Sequence, residues 1–248
     1  MLFVLLSIPV ITFSQKNDST KVGIHFGGAI SVNTKGISTI PNLTLGKPAA
    51  IFDLSMVRRK LSFEPIFRFA LEGKPWTFIF WWRYKLLERE KYMIRLGVNP
   101  AVAFKTIPVT TNEVTDEIIT AQRTLTGDLT SSYFLTKNIS IGPYYMYIYG
   151  IEKSAIKNTH YLALRSGFSN IKLSDQFFMR FNPQVYYLKM DKNDGFYFNA
   201  TLTLAKRNFP LSVSTLINKT IQTEIPIGED FLWNVSLSYS FNKKYVEQ

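Results

Sequence analysis

Apolar and polar residues alternate with a period of two along most of the chain, not at the three- and four-residue spacing of a helix. The last such segment is the clearest, because large apolar residues occupy every odd position in 231–241 and Ser or Asn occupies the even positions from 234 to 242. The segments 61–71, 196–204 and 209–221 show the same pattern. Successive side chains of a β-strand point to opposite faces, so the alternation predicts strands with one apolar and one polar face.

The pattern and its interruptions divide the chain into about twelve strands. The predicted strands are 21–33, 49–58, 61–72, 76–88, 91–105, 119–135, 139–152, 159–172, 177–190, 194–207, 209–222 and 231–242. Short connections alternate with longer ones, which are predicted as loops at 34–48, 105–118, 152–158 and 222–230. Short turns at one end, longer loops at the other and an even strand count predict an all-β fold, an up-and-down antiparallel transmembrane β-barrel.

The composition of the two faces favours a membrane barrel over an exported soluble β-protein. Charged residues are 19% of the 248 residues and aromatic residues 15%, whereas about 25% of residues are charged in typical soluble domains. The polar face carries Ser, Thr, Asn and Gly instead of the Lys and Glu of a solvated surface. Aromatic residues cluster near predicted strand ends, as interfacial girdles require: Trp76, Trp82, Tyr84, Tyr145, Tyr147, Tyr149, Phe231, Trp233, Tyr239 and Phe241.

The first residues predict export. Residues 2–13 form one apolar run, followed by a polar stretch from Ser14 to Thr20. The run is shorter than the roughly 20 residues of a transmembrane helix and suits the hydrophobic region of a signal peptide. We therefore expect residues 1–14 to be a signal peptide and residues 15–248 to be a single β-barrel domain. The alternative interpretation is a buried N-terminal strand.

These features give the chain a resemblance to the outer-membrane β-barrel proteins of Gram-negative bacteria. The signal-like start, the period-two strands and the final segment Phe231–Phe241 carry the resemblance, which covers the whole mature chain as a pattern and not as a family motif. Members of that class typically end on an aromatic residue, whereas residues 242–248 follow Phe241 here. The resemblance implies a location in the cell outer membrane, in contact with membrane lipid including lipopolysaccharide.

Nine charged residues are predicted to point into the lumen by the same alternation. They comprise six cations and three anions: Arg68, Arg83, Lys85, Arg95, Arg165, Arg180, Asp53, Glu64 and Asp128. The excess of cations favours a passive, porin-like channel for small solutes with a weak preference for anions. The five arginines are then expected to line the passage.

The alternative interpretation of these charges is a ladder of Arg–carboxylate pairs that fills the lumen. Four bulky residues of the polar face also predict a narrow lumen: Trp81, Tyr144, Tyr186 and Tyr197. A filled barrel would act as a scaffold subunit of a larger envelope complex, with loops 34–48 and 105–118 binding an envelope protein partner.

Enzymatic, metal-binding and nucleic-acid-binding roles have less support in the sequence. The chain has no Cys and two His, which argues against a cysteine site or a multi-histidine metal centre. A lipid-modifying enzyme is a further alternative, but no Ser lies close to His160 on its strand. The net charge of +11 includes the basic turn 58–60 without a nucleic-acid-binding motif, and lipid phosphates explain such a turn more simply. We therefore expect no catalysis, metal, cofactor or nucleic acid.

Overall fold

The computed structural model describes residues 23–111, 114–226 and 228–245. The predicted signal peptide lies outside the described residues. Within these ranges, twelve antiparallel strands pair in chain order, and β12 pairs with β1 to close a barrel. The strands are β1 (Ile24–Asn33), β2 (Ala49–Arg58), β3 (Leu61–Ala70), β4 (Pro75–Glu88), β5 (Tyr92–Thr111), β6 (Val114–Thr136), β7 (Ile139–Gly150), β8 (Asn158–Lys172), β9 (Phe177–Met190), β10 (Asn193–Lys206), β11 (Leu211–Thr223) and β12 (Phe231–Tyr245).

The only other regular element in the described ranges is a single turn of 3-10 helix at Pro41–Leu43. No helix in those ranges has both the length and the hydropathy needed to cross a membrane.

Side-chain polarity around the barrel is the inverse of that in a soluble protein. Leu237 is 52% exposed on the outer face of β12, whereas its neighbour Ser236 is 7% exposed on the inner face. The outer face carries large exposed apolar side chains on all sides, among them Val32, Trp82, Leu96, Leu129, Leu164, Val185, Leu204, Val213 and Trp233. The buried inner positions include Ser31, Asn33, Thr77, Asn99, Thr126, Asn199, Asn218 and Asn234. The exterior therefore faces lipid, which confirms the predicted transmembrane barrel.

The two ends of the barrel differ in the length of their connections. Ile24 pairs with Tyr245, so both termini of the described barrel lie at one end, together with brief turns such as 59–60 and 137–138. We call this the short-turn end. The opposite end, the long-loop end, carries the connections 34–48, 151–157 and 224–230.

The predicted long loop at 105–118 is wrong. β5 and β6 stay paired as far as Thr111 and Val114, so most of this segment forms an extended hairpin at the long-loop end. The segment is rich in Thr, Val and Ile, whose β-branched side chains favour strands. Two paired strands also satisfy the hydrogen-bonding capacity of each other's backbone N–H and C=O groups. Such a hairpin can therefore form without an apolar face in contact with lipid.

A carboxylate at the long-loop end ties two neighbouring connections together. Asp191 accepts hydrogen bonds from the backbone N–H groups of Asn158 at 2.8 Å and Lys157 at 3.1 Å. These hydrogen bonds, above all that from Asn158, hold the pKa of Asp191 below its ordinary value. The connection 151–157 is thereby held against the turn that follows β9.

The assignment of faces predicts opposite outcomes for adjacent substitutions. Leu237→Arg places a cation on the lipid-facing side near the middle of β12 and is expected to cost about 2–4 kcal/mol of folding free energy. Folding into lipid vesicles is measured by the mobility shift between unheated and heated samples on a gel, across a urea series.

Ser238→Arg is the matched control, because the same cation there points to the polar inner side. It is expected to fold at a urea concentration close to that of the wild type. Equal losses in the two variants would show that the assignment of inner and outer faces is wrong.

Candidate functional site

A row of polar and charged side chains runs along the inner wall of the barrel, and we call it the lumen belt. Each member contacts the next or shares a partner with it. Its members lie on seven strands, from β3 to β10 with β5 skipped: Glu64, Arg83, Asp128, Tyr144, Arg165, Gln184 and Asn199.

Arg83 holds one half of the belt together. Its Nη1 donates to Glu64, and its Nη2 lies 3.1 Å from the Asp128 carboxylate. Its guanidinium also lies over the ring of Trp81, 4.0 Å from the ring centre. The Asp128 side chain is 1% exposed, so its charge requires this partner. This half of the belt is a paired Arg–carboxylate ladder.

Gly97 makes the ion pair between Arg83 and Asp128 sterically feasible. The two charged residues lie on β4 and β6, and β5 runs between them with Gly97 in register with both. A Cβ at Gly97 would overlap the Asp128 carboxylate and approach Cγ of Arg83 to 3.0 Å. The missing side chain therefore lets the Arg83 guanidinium reach across an intervening strand.

Arg165 occupies the other half of the belt without a carboxylate partner in the described ranges. Its Cζ lies 3.3 Å from the ring centre of Tyr144, whose hydroxyl donates to Asp128 at 3.2 Å. Its Nε donates to Gln184 at 3.0 Å, and Gln184 donates to Asn199 at 3.3 Å. Stacking and a neutral amide thus hold Arg165 in place and leave its positive charge uncompensated by an ion pair.

Two other predicted lumen residues, Arg68 and Asp53, lie outside the belt. The Arg68 guanidinium is 5.2 Å from the ring centre of Trp76, and its buried Nε has no hydrogen-bond acceptor among the described residues. Asp53 interacts with Arg68 electrostatically, and the described contacts include no hydrogen bond between the two side chains.

The remaining predicted residues lie toward the short-turn end. Arg95 has a buried Nε without an acceptor in the described ranges, and Arg180 is exposed. Lys85 pairs at 2.7 Å with Glu88, next to a register shift in β4. Of the six predicted cations, only Arg83 and Lys85 have an ion-pair partner among the described residues. The other four have no ion pair there: Arg68, which interacts electrostatically with Asp53, and Arg95, Arg165 and Arg180.

Four tyrosine rings pack in a row on the inner wall between β7 and β10, the first pair edge-to-face and the other two pairs stacked, and we call them the tyrosine stack. Ring centres are 5.8 Å apart for Tyr144 and Tyr161, 4.8 Å for Tyr161 and Tyr186, and 4.9 Å for Tyr186 and Tyr197. The structure places Tyr144, Tyr186 and Tyr197 in the lumen, as the sequence predicts, together with Trp81. Sequence analysis missed Tyr161, although its parity with Arg165 on β8 marks it as inward-facing.

The connection 34–48 folds into the lumen, and we call it the inserted loop. Ile40 is 6% exposed and packs against the tyrosine stack. Two side chains of the wall hold the loop by its backbone: the Tyr186 hydroxyl donates to the Thr39 carbonyl at 3.0 Å, and the Asn234 amide donates to the Lys35 carbonyl at 2.9 Å.

Trp76 also holds the inserted loop, which corrects its expected place in the outward aromatic girdle. Its side chain is buried, and its indole N–H donates to the Leu43 carbonyl at 2.8 Å. A register shift between Arg68 and Phe69 breaks the regular pairing of β3 with β4 beside this residue. Simple alternation from the rest of β4 therefore assigns Trp76 to the wrong face.

Two cavities occupy the lumen on either side of Arg165. The outer cavity, at the long-loop end, has a volume of about 350 Å³ and lies between the inserted loop and strands β3 to β9. The inner cavity, toward the short-turn end, has a volume of about 320 Å³ and a wall of Ser, Thr, Asn and Gln side chains. Arg165 is the one described residue that lines both. The two cavities therefore share the Arg165 side chain as part of their walls.

His160 takes no part in the lumen. It lies on the outer face of β8, where its Nδ1 is 2.8 Å from the Tyr145 hydroxyl. In the described ranges, no three His, Asp or Glu side chains are grouped so that they would hold a metal ion.

Solved structures of outer-membrane channels share this fold. The KdgM porin in complex with disordered oligogalacturonate has a TM-score of 0.54 at 8% identity, covering 88% of this chain and 99% of that chain. The outer-membrane channel from Pseudomonas putida F1 has a TM-score of 0.50 at 10% identity, covering 92% of this chain and all of that chain. No protein-family model and no curated protein matches the sequence. The class-level resemblance to outer-membrane β-barrels is thus confirmed for the fold, and these neighbours are channels, not enzymes.

The role of Gly97 predicts a position-specific loss of stability. Gly97→Ala is expected to displace the Asp128 carboxylate from Arg83 and to cost about 1–3 kcal/mol of unfolding free energy, the usual range for overfilling a packed interior. The measurement is equilibrium unfolding in urea, followed by tryptophan fluorescence of the protein in lipid vesicles.

Gly127→Ala is the matched control on the next strand. A Cβ at Gly127 would meet nothing nearer than the Gly97 carbonyl oxygen at 4.0 Å, so the unfolding free energy is expected to stay within about 0.5 kcal/mol of the wild type. A Gly97→Ala variant as stable as Gly127→Ala would contradict the steric role of Gly97.

Proposed function

We propose that this transmembrane barrel is a passive channel of the outer membrane that conducts small solutes and prefers anions. The observation that carries the proposal is the position of Arg165, a guanidinium without an ion-pair partner in the described ranges that lines both the outer and the inner cavity. Short turns face the periplasm in such barrels, which places the outer cavity on the extracellular side.

The charges around the outer cavity support the preference for anions. Of the three arginines in its wall, Arg83 is paired with Glu64 and Asp128, whereas Arg68 and Arg165 have no ion pair among the described residues. A concave, low-dielectric wall with charges of one sign raises the local concentration of counter-ions. An anion that enters from the long-loop end is attracted first by the outer cavity and then by Arg165.

The structural neighbours support a channel of this general kind. The KdgM porin is described with oligogalacturonate, a saccharide that carries carboxylates. At 8% identity the likeness concerns the fold, so the preference of this chain for anions rests on its own arginines.

A filled scaffold barrel is the second candidate function. The inserted loop and the tyrosine stack occupy part of the lumen, which favours a barrel without conduction. In that case the role of the barrel lies in binding an envelope protein partner at the long-loop end.

Conductance in planar lipid bilayers separates the two functions. Under a KCl gradient, the wild type is expected to give a reversal potential that shows preference for chloride. Arg165→Gln is expected to lower the chloride-to-potassium permeability ratio about fivefold, because a unit charge 4 Å from an ion contributes about 1 kcal/mol even in bulk water.

Arg207→Gln is the matched control, because it removes the same charge from an exposed turn at the short-turn end. It is expected to leave the permeability ratio close to that of the wild type. No conductance from barrels that show the heat-dependent gel shift would support the scaffold instead. Conductance with an unchanged ratio in Arg165→Gln would overturn the role of Arg165.

A further inference from the structure

The outer cavity combines positive charge with an extended apolar wall. Its charged lining groups in the described ranges are three arginines, of which Arg83 is paired with Glu64 and Asp128 while Arg68 and Arg165 have no ion pair. The same lining contains Met146 and Ile148 of β7, Ile156 of the connection 151–157 and Ile40 of the inserted loop. A hydrated inorganic ion gains no favourable contact with the apolar side chains. An uncharged apolar molecule gains no electrostatic attraction from the arginines.

Residues that line this cavity also hold buried hydrogen-bond donors without acceptors. Arg68 Nε and Thr77 Oγ lie on paired positions of β3 and β4, and neither has a hydrogen-bond partner in the described ranges. The Tyr161 hydroxyl, on β8, is buried in a residue that is 1% exposed and has no acceptor there either. More than 90% of buried polar groups in proteins are hydrogen-bonded, so the adjacent unpaired donors of Arg68 and Thr77 mark the place of an acceptor on this wall.

We propose that the outer cavity is a binding site for a small amphipathic carboxylate, an organic acid with an aryl or short alkyl body. The carboxylate accepts from Arg68 and Thr77, and the apolar body packs against the wall formed by Ile40, Met146 and Ile156. The inference deepens the proposed function, since it names the solute class for the same passage. A volume of about 350 Å³ lies within the range of small-molecule sites.

The polar bodies of sugars fit this cavity poorly. The hydroxyl groups of a sugar acid lose hydrogen bonds to water when they face Met146, Ile148 and Ile156. The cavity therefore discriminates between solutes by the polarity of their uncharged part as well as by their charge.

The test measures binding by isothermal titration calorimetry on the full barrel in detergent micelles, with benzoate as the probe. Benzoate is expected to bind at least about tenfold more tightly than acetate, benzyl alcohol or galacturonate, which lack the apolar body, the charge and the apolar body, respectively. Tenfold corresponds to about 1.4 kcal/mol, the scale of one charge-assisted hydrogen bond.

Two substitutions on one wall are expected to change affinity in opposite directions. Arg68→Gln removes the cation and is expected to weaken benzoate binding about tenfold. Asp53→Asn removes the carboxylate that interacts with Arg68 from outside the cavity lining, and it is expected to tighten benzoate binding. Each variant is first shown to be folded by its heat-dependent gel shift.

The outcomes distinguish this inference from the proposed function. Chloride conductance without benzoate binding overturns the site and leaves the channel. Benzoate binding without conductance supports the site and overturns the channel. Galacturonate affinity equal to that of benzoate overturns the amphipathic class, and affinities unchanged by both Arg68→Gln and Asp53→Asn overturn the location in the outer cavity.

Discussion

A lipid bilayer offers no hydrogen-bond partner to a backbone amide, and this constraint underlies the whole structure. Each strand pairs on both sides, and the pairing of Ile24 through Asn33 with Tyr245 through Ser236 leaves no free sheet edge. Closure forces one face of every strand outward into lipid and the other into a confined lumen. The inverted polarity of the side chains follows from closure and not from any single contact.

The narrow lumen then determines how the charges of the inward-facing side chains are balanced. Asp128 is buried so deeply that its charge requires Arg83, and Arg83 reaches it only because Gly97 leaves the space between them open. Arg165 is held differently, by the ring of Tyr144 and the amide of Gln184. The two arginines of the lumen belt therefore differ in charge balance. The charge of Arg83 is neutralised by carboxylates, whereas the positive charge of Arg165 is not.

The inserted loop and the tyrosine stack divide the lumen into sectors of different chemistry. The tyrosine stack covers the inner wall between β7 and β10, and Ile40 of the inserted loop packs against it. The outer cavity lies beside the stack, with Arg68 and Thr77 in its lining together with Tyr144 and Tyr161. A lumen of twelve strands is wide enough for both a packed sector and a cavity, and the coexistence of the two explains why features of a scaffold and of a channel occur in one barrel.

Local sequence pattern determined the strands, their faces and the inward direction of the charged residues. Alternation is a property of consecutive residues, so it identified Glu64, Arg83, Asp128 and Arg165 as lumen residues without knowledge of the fold. It also placed most strand boundaries close to those observed, with the hairpin at 105–118 as the main exception. In the described ranges the outer part of that hairpin pairs only with itself, so its strands depend on pairing between two segments of the chain.

Only the tertiary structure decided which inward residues meet. The Arg83–Asp128 pair depends on the register of three strands and on a missing side chain at Gly97, and the place of Trp76 depends on a break in register. The inserted loop is held by hydrogen bonds to strands as distant in sequence as β9 and β12. Register and loop insertion arise from contacts between residues far apart in the chain, and a period-two pattern carries no information about them.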